Sequence, residues 1–234
     1  MKTQKLKPGK RYDTPEKNYI KSTMYEFDFS TDIMVIETQN TDGSTDYTIL
    51  HYLLKNGDKA YFSEEYLPFG MSKRGVKKPD ITAIIENSEN TKAKWFIYDM
   101  KDTVINAQTA GKLCSQWHKG IEHLTSEYLE AKSDYQMEDS VGVITRYWDK
   151  NKLQEDIQKY QERLISGNQL LTARKSLPRV NEYIQKIKSA QYIIDGIFCD
   201  YDETTGERKE YPIHYIDLVK IEDLHYTAHM NIEL

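Results

Sequence analysis

The segment from Val76 to Val104 constrains the chain most. Two apolar runs, Asp80 to Glu86 and Trp95 to Lys101, flank the polar stretch Asn87-Ser88-Glu89-Asn90-Thr91. In an extended strand successive side chains point to opposite faces. Asp80, Thr82, Ile84 and Glu86 then share one face of the first strand. Trp95, Ile97, Asp99 and Lys101 share one face of the second, with Phe96, Tyr98 and Met100 on the other. Asn, Ser and Thr between two apolar runs predict a turn, so the pair reads as a hairpin. Its closing end carries Asp80, preceded by Pro79, beside Asp99-Met100-Lys101. Two carboxylates and a lysine at adjacent strand ends can hold a divalent metal and polarise a water.

The rest of the chain reads as further strands and amphipathic helices. Residues 1–21 form a basic arm with a short helix expected after Asp13-Thr14-Pro15, where Asp or Thr caps and Pro takes the first helical position. Tyr25 to Phe29, Thr31 to Gln39, Tyr47 to Leu54 and Ala60 to Phe62 have strand character, with turn signals at Asp42-Gly43 and Asn56-Gly57. This opening third is expected to be a β-meander. After a loop at 66–75 comes the hairpin, and then a mostly helical stretch from Thr103 to Lys132, with Asp102-Thr103 as cap candidates. Val141 to Trp148 reads as a buried strand. Residues 150–166 and 176–190 read as two amphipathic helices broken near Gly167-Asn168. Gln191 to Tyr201 and Tyr211 to Glu222 read as a closing strand pair. The expected fold class is α/β (α+β), a central mixed sheet flanked by helices. The expected division is an arm and meander over 1–75, a core over 76–148, and helices plus hairpin over 149–234, packed as one compact unit.

Composition narrows the function classes. Charged residues make up 29% of the chain, and no apolar run approaches the ~18 residues that would suggest a membrane span, so no membrane association is expected. The basic start lacks the apolar core of a secretory leader. Two cysteines, Cys114 and Cys199, neither build a disulfide framework nor have zinc-site spacing, and the expected location is a reducing cytoplasm. The net charge of −5 argues against a wholly basic nucleic-acid coat. The charge is uneven, however: 1–21, 73–78 and 150–188 are basic and 22–72 is acidic, a pattern compatible both with a local phosphate-binding surface and with solvated helix faces.

Hydrolysis of a phosphodiester needs a nucleophilic water, neutralisation at the phosphate and help for the leaving oxygen, and a divalent cation supplies all three. Mg²⁺ or Mn²⁺ suits oxygen ligands. Asp80, Asp99 and the backbone carbonyl of Met100 are the candidate ligands. Lys101, on the Asp99 face, is the candidate catalytic lysine, orienting the water and stabilising phosphate charge. Lys73, Arg74, Lys77 and Lys78 precede the first ligand and are candidates for holding substrate phosphate. The bland alternative is a strand that ends in charged residues because it meets solvent there.

Pro79-Asp80 followed by Asp99-Met100-Lys101 resembles the signature of the PD-(D/E)xK, or restriction-endonuclease-like, nuclease superfamily. Lys77 to Ile81 looks most like the nuclease subunits of modification-dependent restriction systems. The resemblance covers residues 76–148. It implies a mixed sheet between helices, dependence on Mg²⁺, DNA as substrate, and a role in restriction or antiviral defence. It also implies an oligomer or a complex with an ATPase or recognition subunit. Some families of the group place a glutamine on the helix after the lysine, for which Gln108 is the nearest match and Gln116 the second. Many carry another acid before the first core strand, for which Glu64, Glu65 and Glu16 are candidates. No long helix precedes Asp80, which departs from that pattern. The alternative is a non-catalytic nucleic-acid- or protein-binding subunit on the same fold.

Other residues read more blandly. Glu86 shares the Asp80 face but stands about 20 Å along the strand at ~3.3 Å per residue, and is expected at the surface. His118 and His123 do not share a helix face at metal-ligand spacing. His225 and His229 stand in a tail of strand character. Cys114 is expected in the core. The tyrosines and tryptophans can stack bases, but in a β-rich chain such rings more often fill the core.

Overall fold

The computed structural model describes residues 25–27, 33–39, 45–51, 59–64, 79–87, 89–101, 103–125, 134–168, 177–201, 206–222 and 225–229. The fold is mixed α/β. The central strands are β5 (Ile81–Asn87) and β6 (Lys92–Lys101), which form the expected antiparallel hairpin, with Ile84 opposite Trp95 and Ile81 opposite Tyr98. The turn between them is held by the Asn87 side chain, which accepts from the amides of Glu89 and Asn90. Thr91 adopts a positive φ of 50° there. Continued by one step, the register sets Asp80 opposite Asp99.

Around this hairpin lie β1 (Tyr25–Phe27), β4 (Lys59–Glu64), β7 (Gln136–Thr145), β8 (Ile197–Tyr201) and β9 (Arg208–Asp217). The sheet order is β1-β4-β5-β6-β7-β9-β8. The β6, β7 and β9 strands run parallel, so their carboxyl ends lie along one edge. Among the described residues three helices accompany the sheet: α1 (Ala107–Leu124), α2 (Lys150–Asn168) and α3 (Leu177–Asp195). Trp95 and Ile97 of β6, Val141 and Val143 of β7, Leu113 and Trp117 of α1, Leu153 of α2 and Ile193 of α3 form one buried cluster. That apolar face fixes where α1 lies. At Gly120 a Cβ would stand 2.8 Å from Ile97 Cδ1 and 3.3 Å from Pro79 Cγ, so the missing side chain lets α1 close down on the hairpin.

Several expectations change. The opening third is not one meander. β1 and β4 pair with each other and extend the central sheet, whereas β2 (Ile33–Gln39) and β3 (Thr45–His51) form a hairpin in a second sheet of order β10-β11-β3-β2, with β10 (Val219–Glu222) and β11 (His225–His229). The alternation marks the strands correctly, but partner choice is non-local, since β11 lies parallel to β3. The three sequence segments therefore interleave in the sheets.

Gln191 to Asp195 is helix rather than strand. Ala190 and Ile193, three apart, bury one side of α3, and Gly196 at φ 73° ends the helix in the left-handed conformation that glycine tolerates. Helix α1 starts later than Asp102-Thr103, which the sequence favoured. Ile105 is fully buried and Asn106 caps, accepting from the Thr109 amide at 2.9 Å, while Asp156 of α2 accepts from the Ala107 amide at 3.0 Å. Strand β7 ends at Thr145, so Tyr147 and Trp148 stand in an exposed connection instead of a buried strand. Glu86 is buried, not at the surface, near the end of an interior strand paired on both sides with β4 and β6.

Candidate active site

The hairpin delivers its charges to one point. The Asp80 carboxylate accepts from the Met100 amide at 2.7 Å, which locks the start of β5 to the end of β6. The Lys101 ammonium donates to the Met100 carbonyl at 2.8 Å. It also stands 3.4 Å from Asp80 Oδ2 and 3.6 Å from Asp99 Oδ1. Oxygens from all three candidate ligands therefore surround one positive charge. Exposure is graded across the site, with side-chain values of 26% at Asp80, 19% at Lys101 and 0% at Asp99. Solvent reaches the site from the Asp80 side.

Asp99 is the unusual member. It sits on the face of β6 that packs toward α1, continuing the row of Trp95 and Ile97. Neither of its carboxylate oxygens has a hydrogen-bond partner among the described residues. Burial holds its carboxyl well above the ordinary carboxylate range, and the Asp80 charge adds to the rise. The Lys101 ammonium, ion-paired with it at 3.6 Å, and the Asp80 backbone oppose the rise without overcoming it, both contacts being too long or poorly aligned to count as close hydrogen bonds. A buried carboxylate that lacks hydrogen bonds is costly, so a core position normally carries an apolar residue in its place. The loose Lys101 pair offsets only part of that cost, and a cation bound directly to the carboxylate would offset more.

The donor set fits a hard divalent ion: two carboxylates and a carbonyl, all oxygen, with one side open for waters. Among the described residues there is no group of three or more His, Cys, Asp and Glu that could hold a metal, so these residues supply only part of a coordination shell. Of the acids considered as a third ligand, β4 places the backbone of Glu64 opposite Ile81, one residue from Asp80. Glu65 and Glu16 lie outside the described residues, as do Lys73, Arg74, Lys77 and Lys78.

No protein-family model matches this chain, and no curated protein and no solved structure matches it at a significant level.

The remaining candidates fall away from this point or turn out differently. Gln108 is solvent-exposed in the first turn of α1, with no hydrogen bond to Asp80, Asp99 or Lys101 among the described residues. Gln116 is half-buried further along the same helix. His225 and His229 both lie in β11. Four residues along a strand is ~13 Å, which removes them as a metal pair. Cys114 is buried as expected, and burial pushes its thiol up to about 12, which makes it inert.

His118 was expected only to pack or meet solvent, yet its Nδ1 stands 2.6 Å from Asp200 Oδ1 of β8. That hydrogen bond raises the imidazole pKa against a smaller opposing effect of burial. The partners are far apart in sequence and share no local pattern, so only the packing of β8 beside α1 brings them together.

Proposed function

We propose that this chain is a metal-dependent phosphodiesterase acting on nucleic acid, with Mg²⁺ or Mn²⁺ as cofactor and DNA as the expected substrate. The observation that carries the reading is the convergence of Asp80, Asp99 and the Met100 carbonyl on one point, with the Asp99 carboxylate fully buried and, among the described residues, held by no close hydrogen bond but only by the 3.6 Å pair with Lys101. A divalent cation held there would supply charge at the scissile phosphate and an acidified water. The residues themselves do the rest. The buried Asp99 and the more exposed Asp80 would hold the ion. The hydrogen bond from the Met100 amide keeps Asp80 in place before substrate arrives, a preorganisation that costs nothing during the reaction. Two positive charges do not share one point, so with a cation bound between the carboxylates Lys101 would have to leave the position it holds in the structure. Its flexible four-carbon stem allows the ammonium to swing to the open side. There it donates to a phosphate oxygen or to the attacking water.

The resemblance to PD-(D/E)xK nucleases supports the same assignment and suggests restriction or antiviral defence as the setting, with an ATPase or recognition subunit as partner. One feature favours the rival reading of a non-catalytic binding subunit: Lys101 already neutralises the carboxylates, as in a structural ion-pair cluster. Incubation of the purified chain with plasmid, linear DNA and RNA, with and without Mg²⁺ or Mn²⁺, separates the two. The nuclease reading expects metal-stimulated cleavage that Asp99→Ala and Lys101→Ala abolish while circular dichroism is unchanged. Cleavage undiminished in both variants would overturn it.

A further inference from the structure

An aromatic surface borders the site at the carboxyl edge of the parallel strands. Register places Asp99, Val143 and Tyr215 in one row across β6, β7 and β9, so Tyr215 stands two strand spacings, about 10 Å, from Asp99. The Trp148 ring lies on Tyr215, centroids 4.5 Å apart and planes at 33°. Tyr147 stands beside it, with the Arg146 guanidinium 5.0 Å from its ring centroid. All three rings are more than a third exposed: Tyr147 43%, Trp148 39%, Tyr215 37%. The other two tryptophans, Trp95 and Trp117, are fully buried, so core packing explains them but not Trp148.

The platform is held rigid. Thr145 Oγ1 accepts from the Tyr147 amide, the Thr145 carbonyl accepts from Leu218, and the Tyr215 hydroxyl donates to the Ile193 carbonyl. Asp149 closes the connection by capping α2, accepting from the amides of Asn151 and Lys152. Its carboxylate is thereby engaged, while Arg146 and Lys150 carry positive charge on either side.

We propose that Tyr147 and Trp148, backed by Tyr215, are a base-stacking platform, and that the substrate presented to the Asp80–Asp99 site is single-stranded or locally unpaired nucleic acid. The inference rests on the phosphodiesterase reading and sharpens its substrate class. Rings beside cations suit a strand whose phosphates pass the basic groups while a base lies flat on the indole. In a duplex the bases already stack on one another and offer no free face. Tyr215 stands about 10 Å from Asp99 and the Trp148 ring lies on Tyr215, so a base on Trp148 belongs to the strand near the reacting phosphate.

The test uses the full chain in EDTA, where no metal-dependent cleavage occurs, and reads indole fluorescence while titrating three probes: short oligodeoxythymidylate, an abasic oligomer of equal length, and a blunt duplex. Because Trp95 and Trp117 are buried, quenching reports on Trp148. The proposal expects oligodeoxythymidylate to quench and to bind more tightly than the other two probes. Trp148→Phe removes the quench but keeps the affinity, read by anisotropy of a labelled oligomer. Trp148→Ala weakens binding roughly ten- to a hundred-fold, the range of one lost base stack. Equal binding of the abasic oligomer, stronger binding of the duplex, or unchanged affinity in Trp148→Ala would each overturn the platform. Metal-stimulated cleavage of these probes, lost in Asp99→Ala, is scored separately. Its presence together with unchanged affinity in Trp148→Ala removes the platform and leaves the phosphodiesterase standing. Base-dependent quenching without any cleavage does the reverse.

Discussion

Asp99→Asn separates a functional carboxylate from a structural one, because the two readings predict opposite changes in stability. The wild-type side chain is fully buried, has no hydrogen bond among the described residues, and faces the Asp80 charge across the hairpin. If Asp99 serves a bound cation, the metal-free protein bears a desolvation cost of a few kcal/mol for that carboxylate that the 3.6 Å Lys101 pair offsets only in part. The amide is nearly isosteric and removes the charge, but its own polar atoms still need partners. The net gain is therefore about 1–2 kcal/mol at neutral pH in EDTA. For a chain of this size that corresponds to a rise in Tm of about 2–8 °C. Urea unfolding followed by circular dichroism checks it, with cleavage of oligonucleotides in Mn²⁺ measured on the same samples. The expected variant is more stable and inactive, and it loses the stabilisation that Mn²⁺ gives the wild type. If instead Asp99 is the structural anchor of Lys101, the substitution leaves the ammonium under-neutralised and stability falls. A loss of 1 kcal/mol or more in EDTA, with unchanged stabilisation by Mn²⁺, would refute the reasoning.

Three further outcomes are expected. Lys101→Met leaves two carboxylates facing each other without a cation, and should lower stability by about 1–3 kcal/mol, less than the ~3–5 kcal/mol for breaking a fully buried pair because Lys101 and Asp80 are partly exposed; a double-mutant cycle with Asp99→Asn in urea should recover much of the loss. Gly142→Ala builds a Cβ 2.7 Å from Tyr98 Cε1 and 2.8 Å from the His214 carbonyl oxygen; the backbone atom of β9 cannot step aside, so a loss of about 3 kcal/mol or an insoluble product is expected, whereas a variant as stable as wild type would contradict the packing of β7 between β6 and β9. The His118 imidazole gains Asp200 as partner on folding, with Lys119 and Glu122 as the charged neighbours on its own helix, and its pKa rises. The sign follows: the stabilisation is full below the ordinary histidine range, where both folded and unfolded states are protonated, and disappears as pH rises through the raised folded value. Asp200→Asn should flatten that slope in a pH series of urea midpoints, by well under 1 kcal/mol given a side chain 43% exposed.

The parts of this molecule that were legible in the sequence are those whose geometry is local. Period-two alternation and a polar turn determine the β5–β6 hairpin and its register together, and that register alone sets Asp80 against Asp99-Met100-Lys101. The apolar spacing of α1 and the two basic helices is also a property of contiguous residues. Signals of the same kind misled where a short apolar run had no period of its own. Gln191 to Ile194 suited strand and helix equally until burial of Ala190 and Ile193 decided for helix.

Non-local choices left no such trace. Nothing in Tyr25 to Phe27 specifies β4 as its partner, and nothing in Thr45 to His51 announces a parallel neighbour more than 170 residues downstream. The same division runs through the candidate site. Its two carboxylates, lysine and carbonyl come from one hairpin, so the sequence alone brought them together. A third ligand, a glutamine from the following helix or a lysine from the preceding loop must arrive from a different element, and spacing along the chain carries no information about that arrival. His118 and Asp200 demonstrate the point from the other side: they meet at 2.6 Å although they are 82 positions apart, and no pattern in either segment anticipates the contact. A constellation carried by one supersecondary unit can thus be tested residue by residue from sequence. One assembled across the sheet needs the sheet order first.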